Sequence, residues 1–451
     1  MTKKVILLEF NELTHELMEK YFSEGELPNF KELHQKSQVY ITDANASGDD
    51  LNPWIQWVSV HTGLRPSEHK VYRLNDMDKF DGDFVWDSLS RKGIKSWVCG
   101  SMNTKFKSNF KGLFIHDPWA TTNALYPAGQ FDTYMNFVKQ SVQGHSSQEK
   151  VPALSFLLYM LRSGLSFKTI YQAGRQLITE QLDKTSKWGR AMILDMFQYD
   201  VFRHYYRKER PEFATFFLNS TAHYQHHYWK DADPVAFGLE RAGENKRKSK
   251  AILSGYKNMD NLLGEFMELA DEDTTIMFCT ALSQQPYLDE ERSYYRIINE
   301  KVFFDKIGLK TKVKYSPVMA EQFHLECNSV EEAKALSEWF QNFEMESEKY
   351  FYVGSKKVFS TSIDNLRVNV QCRCAKAVED TAVILDKNEN RKISFYDVFL
   401  KMDDTKTGVH NPHGMFWVYD RSKVHKVYDK PMHLEEIQPM ILDQLGVGDV
   451  R

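Results

Sequence analysis

The sequence predicts an α/β protein, with a mostly parallel central sheet flanked by helices and interrupted by a helical insertion and a small α+β insertion. Short apolar runs alternate with helix-like stretches in the amino-terminal part and again near the end, which is the pattern of β-α-β units. The run from Phe213 to Leu218 is apolar throughout and bounded by Pro211 and by Asn219-Ser220, as a strand covered on both faces requires. At 451 residues the chain exceeds the usual size of one compact domain, so a core with insertions is expected.

Taken in order, Val5 to Phe10 reads as the first strand and Glu12 to Tyr21 as the helix that follows. Leu27-Pro28-Asn29 turns the chain into a second helix through Leu33. Gln38 to Ile41 and Ser96 to Cys99 read as short strands, with Phe84 to Lys92 as the helix between them. From Pro118 to Glu209 the text changes to helices rich in Leu, Met, Tyr and Phe without a convincing strand, which suits a cap on the sheet. Lys250 to Ala270 is an amphipathic helix and Thr274 to Thr280 another buried strand. Val302 to Leu385 alternates in strand fashion around one helix, Val330 to Phe343. Met415 to Tyr419 is a late strand, and Leu434 to Leu445 a closing helix stopped by Gly446. The expected divisions are core segments 1–117, 210–301 and 386–451, a helical insertion or cap at 118–209 and an α+β insertion at 302–385.

Composition narrows the function. A net charge of −4 leaves no electrostatic footprint for nucleic acid, and the one basic cluster, Lys246-Arg247-Lys248-Ser249-Lys250, reads as a solvated helix face. Five cysteines form no disulfide framework, and Cys372-Arg-Cys374 lacks zinc-pair spacing, so its thiols read as alternating strand residues. Lys3-Lys4 before Val5-Ile6-Leu7-Leu8 resembles a signal sequence only until Glu9 cuts the apolar run. Ala153 to Leu161 is too short for a membrane span. A cytoplasmic protein without a transmembrane segment is expected, with attachment to a membrane surface left open.

Chemistry concentrates just beyond the Phe213 to Leu218 strand, where His223, His226 and His227 follow in close order. Open α/β sheets bind ligands at that carboxyl edge. With Ser220 as N-cap, His223 and His226 fall one turn apart. Glu9, Asn11 and Glu12 follow the first strand, while Asp49, Asp50 and Asn52 precede Trp54 and Trp57. A carboxylate beside a histidine can do acid–base work on a hydroxyl acceptor. For the two tryptophans, a core role competes with that of a stacking platform.

Val5 to Leu13, Leu27-Pro-Asn-Phe, Trp57-Val-Ser-Val-His-Thr-Gly-Leu-Arg-Pro-Ser-Glu-His69, the histidine stretch, Asp273 to Thr280, Gly408-Val-His410 with Gly414, and Leu434 to Val447 occur in the order and spacing of the alkaline phosphatase superfamily. The chain resembles in particular its type I phosphodiesterase and nucleotide pyrophosphatase branch. That resemblance implies two divalent metals held by Asp and His, with a Thr or Ser attacking phosphorus or sulfur. Carried over position by position, the ligand positions hold Asn11, Ala222, Ala281 and Leu282, while His226 and His410 remain. The nucleophile position falls on Pro53 or Asn52, and neither can attack. At most one divalent metal, zinc or manganese, is therefore expected on His226 and His410, with His223 or His413 as third ligand, and no binuclear site.

Three readings follow. The first is a transferase or hydrolase acting on a phosphate-linked substrate, a nucleotide sugar or glycan phosphoester. Its expected catalytic residues are Asn11, Asp49, Asn52, His223, His226 and His410, with Glu9, Trp54 and His413 on the substrate. Its mark is convergence of Glu9, Asn11, Asp49, His226 and His410. The second is a catalytically inactive binding protein, marked by an apolar plug of Pro53, Ala281 and Leu282. The third is an assembly subunit, marked by a large exposed apolar face on the helical insertion.

Overall fold

The computed structural model describes residues 3–121, 125–143, 151–239, 248–288, 293–317, 322–352, 354–401 and 406–448. It divides into two compact units, one formed by Met1–Val138, Val151–Leu288 and Thr407–Arg451, the other by Lys139–Lys150 and Asp289–Lys406.

The first unit is organised by an eight-stranded sheet. Its strand order is Lys426–His433, Gln38–Asp43, His413–Tyr419, Thr274–Cys279, Lys4–Phe10, Phe213–Leu218, Ser96–Cys99 and Gly112–Ile115. All pairings are parallel except those of His413–Tyr419, which runs antiparallel to both its neighbours. Period-2 alternation along the central strand Lys4–Phe10 divides its side chains between two apolar clusters. Ile6, Leu8 and Phe10 join Phe30, Tyr256 and Phe266 on one face; Val5 and Leu7 join Trp57, Leu89 and Ile441 on the other. Because both faces are covered, Phe213–Leu218 is buried at every position.

The stretch 118–209 holds the helices Asp132–Gln143, Ala153–Arg162, Phe167–Leu182 and Arg190–Glu209 and no strand among its described residues. Of the basic run at 246–250, Lys246 and Arg247 lie outside the described residues, and Lys248–Lys250 forms a short turn leading into the helix Ala251–Leu269.

The first helix begins later than its pattern suggests. It spans His15–Ser23, because Glu12 takes a left-handed backbone (φ 62°) and Thr14 is extended. Ser220 is the first helical residue of Ser220–Ala232, not its cap; Asn219 occupies the cap position, and the Ser220 hydroxyl donates instead to buried Asp195.

The second unit has its own core, centred on Phe303, Phe340, Phe359 and Phe399. Four antiparallel strands, Phe359–Asp364, Arg367–Cys372, Gln322–Glu326 and Lys314–Pro317, lie side by side, and the helix Val330–Phe340 packs on them. Cys372 closes its strand and Cys374 lies beyond it; all five cysteines are free and buried.

Candidate metal centre at the carboxyl edge of the sheet

Three chain segments deliver one side chain each. Glu12 follows the central strand, His226 sits in the second turn of Ser220–Ala232, and His410 lies on Gly408–Asn411, which pairs antiparallel with Ser283–Pro286. The donor atoms of Glu12, His226 and His410 all lie within 4.8 Å of one another. The two imidazole centroids are 5.0 Å apart. Glu12 Oε2 stands 3.2 Å from His226 Nε2 and 3.5 Å from His410 Nε2.

The far side of each ring fixes its tautomer. His226 Nδ1 is 2.9 Å from the Gly408 carbonyl and His410 Nδ1 is 2.7 Å from the Leu51 carbonyl. A carbonyl only accepts, so each Nδ1 carries the hydrogen, and a ring without a second proton turns a lone pair on Nε2 towards Glu12. Two lone pairs and a carboxylate then face one point, an arrangement that needs a cation there, either a proton or a metal ion. Metal-bound histidines are held in this way, by a hydrogen bond from the other ring nitrogen to a carbonyl. Ligand atoms at roughly 2 Å from a tetrahedral ion are about 3.3 Å from each other, so the Glu12 to histidine separations fit such an ion.

Glu12 is prepared for this position at some conformational cost. A left-handed φ at a non-glycine residue costs about 1 kcal/mol or more and persists only where its surroundings impose it. Its N–H donates to the Thr280 carbonyl, and its carbonyl accepts from Gln225 Nε2 at 2.7 Å. Asn11 Nδ2 donates to Oε1 at 2.7 Å, and Gln284 Nε2 donates to Oε2. Burial alone would raise the pKa of this carboxyl, but with both rings protonated the charges of His410 and His226 and the hydrogen bonds from His226 and Gln284 bring it down to about 2. Gly408 must lack a side chain, since a Cβ there would lie 2.4 Å from the Gln225 carbonyl oxygen and 2.6 Å from Gln284 Oε1.

The other expected site residues separate. Asn11 adjoins the centre but is fully buried, and its carboxamide is committed: it accepts from Trp57 Nε1 at 2.8 Å and donates to Asn219 as well as to Glu12. Glu9, expected on the substrate, points to the opposite side of the strand and is fully buried against His61 at 2.9 Å, where no ligand reaches it. Asp49 is exposed in a short turn whose carbonyl accepts from Asn52 Nδ2, and Asn52 is the N-cap residue of Pro53–Thr62. Trp54 is half-buried and donates to the Tyr72 carbonyl, while Trp57 belongs to the core. His223 is exposed and lies against His227, with ring centroids 4.6 Å apart, rather than beside His226. His413 is exposed at the start of its strand. The third group facing His226 and His410 is thus Glu12, not His223 or His413. The five-residue convergence reduces to His226 and His410 with Asn11 behind Glu12. A carboxylate directly after Asn11 was the available signal for this role.

Ala281 and Leu282 are fully buried in the apolar cluster that also holds Trp57 and Cys279. Pro53 is buried at the head of its helix.

The sequence model of the family described as type I phosphodiesterase / nucleotide pyrophosphatase matches residues 5–302. No curated protein matches the chain.

Proposed function

The chain belongs to the type I phosphodiesterase / nucleotide pyrophosphatase family, within the alkaline phosphatase superfamily, and on that premise we propose that it acts on a phosphate-linked substrate with a single divalent ion held by Glu12, His226 and His410. The family acts on phosphoesters and typically binds divalent metals; the substrate proposed for this chain is a nucleotide sugar or a glycan phosphoester. The observation that carries the reading is the pair of Nε2 lone pairs aimed at one buried carboxylate, each fixed by a carbonyl behind its ring.

In this reading the carboxylate has moved. The position the resemblance assigns to an Asp ligand is Ala222, and the Gln284 amide bridges its carbonyl and Glu12 Oε2. Glu12, reaching in from the first strand, supplies the missing negative ligand. The packing of Ala281 and Leu282 among apolar side chains argues against a second ion. Glu12, His226 and His410 would hold the ion, which would supply Lewis-acid chemistry to a phosphoryl oxygen. With no hydroxyl at Pro53 or Asn52, the attacking oxygen comes from water or an acceptor hydroxyl. Buried, free thiols suit a reducing compartment, and we place the protein in the cytoplasm.

The buried Ala281 and Leu282 also favour a second reading, an inactive binding protein that keeps ion and substrate without turnover. Isothermal titration with zinc or manganese, followed by turnover assays on aryl phosphodiesters and nucleotide sugars, tests both. One ion per chain, lost in His226→Ala, with turnover of a phosphate-linked substrate supports the first reading; one ion with tight substrate binding and no turnover supports the second. Two ions per chain, or none, would overturn the single-ion centre.

A further inference from the structure

The helix Phe167–Leu182 is amphipathic in the reverse of the usual sense. Phe167, Ile170, Tyr171, Leu177, Ile178 and Leu182 are all exposed, Phe167 at 90% and Leu182 at 81%. At 100° per residue they fall on one stripe. The opposite face carries Thr169 and Glu180, which are buried, and Gln176, which donates to Glu180 and to the Ser186 carbonyl. The preceding helix, Ala153–Arg162, repeats the arrangement with Leu154, Leu157, Leu158 and Leu161 exposed around buried Phe156 and Met160. An exposed apolar stripe on each of two successive helices marks an interaction surface, and it is the feature that an assembly role for this stretch would also require.

Charge identifies the occupant. Between residues 151 and 190 there are six basic side chains, Arg162, Lys168, Arg175, Lys184, Lys187 and Arg190, and two acidic ones, Glu180 and Asp183, although the whole chain has 58 basic and 62 acidic residues. Glu180 is taken by Arg190. Arg162, Arg175 and Lys184 are exposed and form no ion pair among the described residues. By helical geometry Arg162 and Arg175 each flank their own apolar stripe. A second copy of the chain would meet this face through a two-fold axis and set its basic rim against itself. A bilayer with anionic headgroups offers both apolar depth and complementary charge. Among the described residues no helix is long and apolar enough to cross a membrane, and the Phe167–Leu182 helix, about 24 Å long, is shorter than the hydrocarbon layer.

We propose that Ala153–Arg162 and Phe167–Leu182 form a docking surface that lies in the plane of an anionic lipid bilayer.

Flotation of the full-length protein with vesicles of phosphatidylcholine, alone or mixed with phosphatidylglycerol, tests this. The parent should bind the mixed vesicles and much less to the neutral ones. Leu177→Ser combined with Ile178→Ser should lower partitioning at least tenfold. Arg162→Gln and Arg175→Gln should each lower it about fivefold on anionic vesicles, as added salt also does. These are surface positions, so circular dichroism and melting should match the parent. A parent that stays off anionic vesicles, vesicle binding unaltered by both sets of substitutions, or a dimer in light scattering that Leu177→Ser with Ile178→Ser converts to monomer would overturn the proposal. Vesicle binding is read without metal or substrate, so its failure leaves the single-ion centre standing.

Discussion

Glu9 and Glu12 lie three residues apart at the end of the same strand, and each meets histidine, yet only Glu12 meets histidines that remain partly open to solvent. Glu9 and His61 are fully buried, joined by one hydrogen bond, with Glu9 Oε2 and His61 Nδ1 lacking any partner among the described residues. His61 is walled in by Trp57 and Trp86, with ring centroids at 5.7 and 5.2 Å. Glu12 is equally covered, but its two histidines keep 17% of their side-chain surface in solvent and present lone pairs instead of leaving atoms stranded. Both pairs join carboxylate and imidazole; access and a shared focus distinguish the proposed centre from the sealed pair.

The largest effect is expected at the sealed pair. Glu9→Ala or His61→Ala strands a buried polar partner and should cost about 3–5 kcal/mol in urea denaturation while leaving ion affinity unchanged, whereas Glu9→Leu with His61→Leu should recover most of the loss. Single substitutions that cost less than about 1 kcal/mol would remove the distinction between the two pairs.

At the open centre the signature reverses. Glu12→Gln keeps the side-chain shape but removes the negative ligand, and zinc affinity in calorimetry should fall by about 100-fold or more, with the zinc-induced rise in Tm disappearing. Retained affinity would mean that Glu12 is another structural carboxylate.

A third buried carboxylate isolates what the histidines contribute. Among the described residues Asp195 has Ser220 and Asn258 as its hydrogen-bond partners, and burial pushes its pKa up to about 7 from 3.8. The folded state therefore holds a proton that the unfolded state has released, so stability is full below pH 3.8 and declines up to about pH 7, by as much as about 1.4 kcal/mol per pH unit. Asp195→Asn should flatten that part of the pH–stability curve. An identical slope in the variant would assign the decline to other groups.

The smallest effect is expected behind the ion. Gln284→Leu removes a donor to Glu12 Oε2 without touching a histidine, and ion affinity should weaken about tenfold. No change in the titration would show that the strained Glu12 backbone suffices to aim the carboxylate.

Much of this was legible in the sequence. Ser96–Cys99 and Phe213–Leu218 stand where their apolar runs put them, because a strand covered on both faces needs an unbroken run. His226 and His410 were legible through their spacing from recognisable strands. Glu12 in its present role was not, because helical periodicity carries the first helix back over it, whereas hydrogen bonds from Asn11, Gln225 and Gln284 hold it in a left-handed turn. The pairing of His223 with His227 was missed because spacings of three and four are both compatible with one helix face. Glu9 looked available for the opposite reason. Alternation fixes the face on which it emerges, but its partner His61 comes from a helix whose docking no local pattern records.

The short ladder between Ser283–Pro286 and Gly408–Asn411 has a consequence for the order of synthesis. Tyr287 donates to the Thr407 carbonyl at 2.8 Å, so the points where the chain leaves the first unit and re-enters it are hydrogen-bonded neighbours. The intervening unit, with a core of its own, can fold while the ladder is still open, and closing it then adds little chain entropy. His410 emerges from the ribosome only after that unit is complete. A nascent chain stopped before Gly408 is expected to have its central parallel strands and Glu12 but to lack the third ligand and the Gly408 carbonyl that orients His226, so the capacity to retain an ion should arrive in one step, near the end of translation.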